Sequence, residues 1–107
     1  MSDCIILYVT AKDTIEAEKI GRTLVEEKLC SCANIIPGMH SIYNWKGNVE
    51  ESEEAVLILK TRSSLNETVT GRIKTLHSYE CPCVVALPIK AGNTDFIKWI
   101  IDETTEK

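Results

Sequence analysis

Positive charge is in short supply in this chain: 12 Lys and Arg stand against 16 Asp and Glu, for a net charge of −4. Nucleic acids and anionic membrane surfaces are held by basic stripes, so both are disfavoured as partners. Long apolar runs are also missing. The longest, Cys4 to Val9, holds six residues, far below the roughly 20 that a membrane span needs. The amino terminus has no basic segment leading into an apolar stretch, so no secretory signal is expected. Aromatic residues make up only 6% of the chain, and no aromatic run of the kind that stacks RNA bases occurs, which disfavours an RNA-recognition module. Enzyme signatures are absent as well: there is no Ser-His-Asp order, Gly-rich phosphate loop or HExxH. A cysteine nucleophile paired with His77 would lack identifiable oxyanion donors. The chain therefore reads as non-enzymatic.

Cysteine, by contrast, is plentiful: Cys4, Cys30, Cys32, Cys81 and Cys83. An odd count without a signal sequence implies thiols in a reducing compartment, and a cytoplasmic location. With 107 residues the chain is expected to form a single domain, residues 1–107. A domain of this size buries only about two thirds of the surface it exposes when unfolded, so an oligomer interface would help it.

Hydrophobic spacing gives the order of elements. Cys4 to Thr10 is an apolar, β-branched strand. Asp13 and Glu16 form a capping box, followed by Ile15, Ala17, Ile20 and Leu24 at helical spacing to about Lys28. Leu29 to Trp45 reads as extended, with a bulge or bend at Pro37-Gly38. Lys46, Gly47 and Asn48 supply a hairpin turn, and Val49 to Thr61 returns through the apolar AVLIL of Ala55 to Leu59. Ser64 and Glu67 suggest a second capping box, ahead of Leu65, Val69, Ile73 and Leu76 on one helical face. Cys81 to Ile89 is a last strand ending near Pro88. Thr94 to about Glu103 is a terminal helix expected to turn Phe96, Trp99 and Ile100 inward.

Strand, helix, strand, strand, helix, strand and a final helix make an α+β fold of the ferredoxin-like, split βαβ kind. Antiparallel strands with one wet face should alternate apolar and polar residues. Here IILYV, AVLIL and VVAL are apolar on both faces, and two helices can cover only one. The other face would be a large exposed apolar patch, so an obligate homo-oligomer is expected.

Candidate chemistry clusters in two places. Cys30 and Cys32 lie two apart on a strand, and Cys81 and Cys83 repeat that spacing around Pro82. Thiolates suit soft ions such as Cu(I) and also Zn(II), although unpaired cysteines equally serve as small core hydrophobes, above all Cys4 and Cys30. His77 closes the second helix, where it can simply cap it. With Glu80 and the neighbouring thiols it also offers nitrogen, oxygen and sulfur donors at one chain reversal. His40 reads as an exposed loop residue. Tyr43 and Trp45 share a strand face with Ser41 and suit an interface or a cleft. Glu50, Glu51, Glu53 and Glu54 guard a strand entry, and Lys60 is a cleft-facing cation able to pair with one of them.

Taken together, these residues resemble one family. Cys32-Ala33-Asn34-Ile35, Pro37-Gly38, Ser41-Ile42-Tyr43, Trp45, Gly47, Glu54, Lys60-Thr61, His77, Tyr79-Glu80, Pro82, Ala86-Leu87-Pro88 and Trp99-Ile100 are similar, in order and spacing, to the CutA family of divalent-cation tolerance proteins. The match runs from about Ile6 to Ile101. The resemblance implies a ferredoxin-like protomer in a tight homotrimer, with long interlocking hairpins and a PII-like architecture. It further implies binding of copper or another divalent metal, and with the donor clustering of this chain the expected ligands are His77, Glu80, Cys81, Cys83 and Cys32. The alternative function is a PII-like signalling trimer, whose inter-subunit clefts, lined by Tyr43, Trp45, Glu54 and Lys60, take a small anion or a protein partner. This chain departs from the family at Val9 and Leu76, where some bacterial members carry a cysteine and a histidine proposed as copper ligands. Ser78 and Cys83 replace the family's usual proline and glutamate.

Overall fold

A computed structural model describes residues 3–105. The elements are β1 (Cys4–Ala11), α1 (Thr14–Glu26), β2 (Cys32–Trp45), β3 (Asn48–Arg62), a 3-10 turn (Ser63–Leu65), α2 (Asn66–Leu76), β4 (Val84–Pro88) and α3 (Thr94–Asp102). The four strands form one antiparallel sheet in the order β2-β3-β1-β4, so β2 and β4 are its edges. Alternation along each strand divides the sheet into two faces. Leu7, Val9 and Ala11 of β1 and Ala55, Leu57 and Leu59 of β3 are buried together with Ala17, Ile20 and Leu24 of α1 and Val69 and Ile73 of α2. This is the core, and each such leucine or isoleucine contributes about 1.5–3 kcal/mol by leaving water. On the opposite face, Ile36, Val85 and Leu87 are each about half exposed, at 50%, 50% and 51%.

Helix α1 begins as its sequence dictates. Asp13 is extended and its carboxylate accepts the Glu16 backbone N–H at 2.8 Å, while Glu16 turns back to the Lys12 N–H at 3.0 Å. Ile15 is a correction: it is 77% exposed, because the buried stripe runs through Glu16, Ala17, Ile20, Gly21 and Leu24 instead. The second capping box is also corrected. Ser64 lies within the 3-10 turn, and α2 starts at Asn66 without a side-chain cap. In α3 only Ile100 is fully buried, whereas Phe96 and Trp99 are 44% and 39% exposed, their rings 5.4 Å apart. The final strand is shorter than its apolar run suggested and starts at Val84. Pro82 has no N–H for a ladder, and side chains of the preceding turn are tied to other elements.

The hairpin between β2 and β3 is closed by Lys46 and Gly47, with φ of 51° and 83°, between paired Trp45 and Asn48. Two consecutive positive φ values match the right-handed twist of the strands in a two-residue turn. The bulge falls at Pro37-Gly38: both residues sit between the pairs Ile36–Val56 and Met39–Glu54, and Gly38 has φ of 72°. The last β1–β3 pair is Ala11–Ala55. Residues 39–54 therefore project past the sheet as a two-stranded ribbon, which gives the chain its 44 Å long axis. Ile42, Tyr43, Trp45 and Val49 on this ribbon are all exposed. Among the described residues no helix is long and apolar enough to cross a membrane.

Candidate functional site

The chain reversal from His77 to Cys83 joins α2 to β4, and three side-chain anchors hold it. His77 caps α2, its backbone N–H reaching the Ile73 carbonyl at 2.9 Å. Its imidazole is wholly buried. Nε2 lies 2.7 Å from the Thr10 carbonyl, and Nδ1 accepts the Tyr79 backbone N–H at 3.0 Å. A carbonyl can only accept and an amide N–H can only donate, so the ring is neutral with its proton on Nε2. Both nitrogens are engaged within the protomer.

The second anchor is Glu16, only 8% exposed. Its carboxylate accepts the backbone N–H of Lys12 at 3.0 Å and of Ser78 at 2.8 Å, and lies 3.9 Å from His77 Nδ1. Burial works against its charge, yet hydrogen bonds from the Ser78 side chain and from the Lys12 and Ser78 backbone hold the carboxyl below its ordinary range. The third anchor is Tyr79, whose hydroxyl donates to Glu54 Oε2 at 2.7 Å. Its ring packs 4.7 Å from that of His77. Burial and then the Glu54 carboxylate push the phenol pKa up, so the hydroxyl keeps its proton.

The turn that these anchors hold carries Glu80, Cys81 and Cys83, all three exposed. Burial of its sulfur, and then the Glu54 charge, push the Cys83 thiol pKa up, against a smaller lowering effect of Thr10. The remaining thiols differ. Cys4 and Cys30 are core residues, each 1% exposed, and burial pushes the Cys30 thiol up to about 12. Cys32 is half-buried on β2, where the Lys60 ammonium lies 3.7 Å from its sulfur and 2.7 Å from Asn34 Oδ1. None of the five forms a disulfide.

The structure thus brings His77, Glu80, Cys81 and Cys83 to one turn and places Cys32 elsewhere. Cys32 is on one edge strand and Cys83 precedes the other, across three strand spacings of about 4.8 Å each. Tyr43, Trp45, Glu54 and Lys60 do not line one cleft within a protomer. Lys60 pairs with Cys32 at the base of the hairpin and Trp45 with Asn48 at its tip, roughly 40 Å away at about 3.3 Å per residue. Lys60 meets Asn34 rather than a glutamate, and His40 lies in β2 rather than in a loop, pairing with Glu51 at 2.7 Å. Among the described residues no three His, Cys, Asp or Glu side chains converge in a metal-binding cluster. Sequence reasoning missed Thr10 and Glu16 as supports of the turn. Glu16 signals a helix cap in sequence, and nothing in the spacing reveals that its second oxygen holds Ser78, 62 residues on.

Comparison with known proteins places this arrangement in context. A family model for the CutA1 divalent ion tolerance protein matches residues 5–103. "Protein CutA 1, chloroplastic" of Oryza sativa is 40% identical over 102 residues, 95% of this chain and 58% of that protein. The chain likewise spans 55% of an Arabidopsis thaliana relative, so these plant proteins are considerably longer. "Divalent-cation tolerance protein CutA" of Archaeoglobus fulgidus is 43% identical, over 94% of this chain and 96% of that one. Among solved structures, the divalent cation tolerance protein of Thermus thermophilus superposes with a TM-score of 0.93 at 38% identity, covering 95% of this chain and 99% of that one.

Proposed function

The chain belongs to the CutA1 divalent ion tolerance family, and on that premise we propose that it is a non-enzymatic cytoplasmic homotrimer that binds copper or another transition-metal ion. The donors lie on the turn between α2 and β4: Cys81, Cys83 and Glu80. His77 positions that turn, and Cys32 joins the donors only from a neighbouring protomer. The observation that carries this reading is the pair of exposed thiols on a turn fixed by the His77, Glu16 and Tyr79 anchors. Soft sulfur donors on a prearranged support suit copper and zinc. The trimer is a ferredoxin-like protomer packed in a PII-like way, and it is supported by the projecting ribbon and by the apolar sheet face opposite α1 and α2, which α3 covers only at its Cys4–Arg62 end. A cytoplasmic home is consistent with five cysteines and no disulfide.

Calorimetric titration of Cu(II) and Zn(II) into wild type and a Cys81→Ser, Cys83→Ser double variant tests the site. Tight binding that the double variant loses supports it, and equal weak binding by both removes it.

A second reading, a signalling trimer that takes a small anion, is favoured by Lys60. Its ammonium meets Asn34 and Cys32 on the sheet face opposite α1 and α2 and, among the described residues, no carboxylate. A metabolite thermal-shift screen on wild type and Lys60→Ala separates the two readings: an anion that stabilises only wild type supports the second.

A further inference from the structure

We infer that Cys32 and Lys60 form a modification site for hydrogen peroxide, at which oxidation of the thiol joins its sulfur to the lysine nitrogen and cross-links β2 to β3. The inference stands apart from any metal or anion the chain binds. Placement of the groups is its first support. Cys32 and Lys60 are directly opposed partners on the two strands, an arrangement that sets Cβ atoms about 4.5–5.5 Å apart. Asn34, two residues on, shares the Cys32 face. Its Oδ1 accepts a hydrogen bond from Lys60 Nζ at 2.7 Å, which holds the nitrogen 3.7 Å from Cys32 Sγ. The backbone beneath is pinned as well. The Ser31 N–H and hydroxyl both donate to the Lys60 carbonyl, at 2.9 and 3.1 Å. Sulfur and nitrogen thus face each other across fixed strands, and only the flexible lysine stem has to move for them to meet.

Selectivity among the five thiols is the second support. Cys4 and Cys30 are each 1% exposed. Burial pushes both thiols up, that of Cys30 to about 12, away from the thiolate that reacts with peroxide. Cys81 and Cys83 are exposed, but among the described residues only Cys32 has a lysine nitrogen hydrogen-bonded to its sulfur. Cys32 is half-buried on an edge strand, within reach of a small neutral oxidant.

The chemistry balances with hydrogen peroxide alone. The thiol and peroxide give a sulfenic acid and water: an S–O bond forms, the O–O bond breaks, and sulfur passes two electrons to oxygen. Lys60 nitrogen then attacks that sulfur. The N–S bond forms, the S–O bond breaks, and the departing oxygen leaves as water with a proton from nitrogen. One thiol, one ammonium and one peroxide therefore yield the N–S link, two waters and one released proton. The product has lost the positive charge of Lys60 and is tied across the base of the hairpin.

Treating folded wild type, Cys32→Ala and Lys60→Arg with hydrogen peroxide, then blocking free thiols and digesting with trypsin for mass spectrometry, tests the site. Circular dichroism checks that the substitutions leave the fold intact. In wild type, segments 29–46 and 47–62 should appear joined and about 2 Da lighter than their sum. Cleavage after Lys60 should be lost, and dithiothreitol should restore it. Cys32→Ala should keep normal cleavage. Lys60→Arg should show no joined segments, and its Cys32 should carry two or three added oxygen atoms, the fate of a sulfenic acid with no nitrogen to trap it. A Cys30–Cys32 disulfide within segment 29–46 overturns the inference. So does a Cys32 left unmodified in wild type, or one carrying the same added oxygens in wild type as in Lys60→Arg.

Discussion

The imidazole of His77 donates its single N–H to the carbonyl of Thr10 at 2.7 Å, across 67 residues of sequence. That bond ties the end of α2 to the central strand β1 and makes His77 a support of the turn. Replacing His77 by Ala leaves the Thr10 carbonyl and the Tyr79 N–H without their partner and opens a void beside the Tyr79 ring. Each loss costs about 1–3 kcal/mol. We expect His77→Ala to lose about 2–4 kcal/mol of stability in urea unfolding, while copper affinity of the folded variant stays within a few-fold. A variant of wild-type stability that has lost metal binding would instead make His77 a ligand.

Glu16 gives the turn a dependence on pH. Its folded carboxyl titrates below its ordinary value of 4.5 because burial is outweighed by hydrogen bonds from Ser78 and Lys12. A carboxylate of lowered pKa contributes stability above its unfolded value, and that contribution disappears as pH falls through the folded one. Glu16→Gln should be destabilised by about 2 kcal/mol at pH 7. The gap from wild type should narrow steadily as unfolding is measured below pH 4.5. A gap independent of pH would place the cost in packing alone.

Gly21 is set by close approach rather than by dihedral freedom. A Cβ there would lie 2.8 Å from the Ala33 Cβ and 3.2 Å from Leu57 Cδ1. Alanine gains about 1 kcal/mol of helix propensity over glycine. Overpacking against a strand-borne Cβ that cannot swing aside costs about 1–3 kcal/mol. We expect Gly21→Ala to be destabilised by about 1–2 kcal/mol in thermal or urea unfolding. A stabilised variant would show that α1 can lift off β2 at little cost.

Elements with strong local signals were legible in the sequence. Asp13 and Glu16 start α1 where their spacing says, and Pro37-Gly38 bulges β2. The Lys46-Gly47 turn closes the hairpin. Errors fell where a choice depends on what lies opposite. Phe96 and Trp99 are apolar and helical, yet α3 turns only Ile100 fully into the core. The apolar run at Cys81 to Val85 does not show that Pro82 and the anchored turn delay pairing until Val84. Donor clustering at His77 to Cys83 was visible as a sequence of residue types. The engagement of both His77 nitrogens was not, because their partners, the Thr10 carbonyl and the Tyr79 N–H, are backbone groups that every residue possesses.

The part of the sheet face opposite α1 and α2 that α3 leaves open makes the last prediction. Val85 and Leu87 on edge strand β4 are about half exposed in the single chain, beside Tyr8 and Ile6 on β1. Taken alone, a protomer should tolerate a charge at either position, since neither side chain is in its core. In an assembly that packs this face, a buried carboxylate without a partner costs several kcal/mol per site. Leu87→Asp should therefore leave circular dichroism near wild type and shift sedimentation from the proposed trimer toward a single chain of 12.0 kDa. Trp45→Ser, at the tip of the ribbon, should weaken the trimer less, because it removes contact area without introducing a charge. Wild type sedimenting as a monomer, or Leu87→Asp sedimenting as an intact trimer, would show that this face is not where the copies meet.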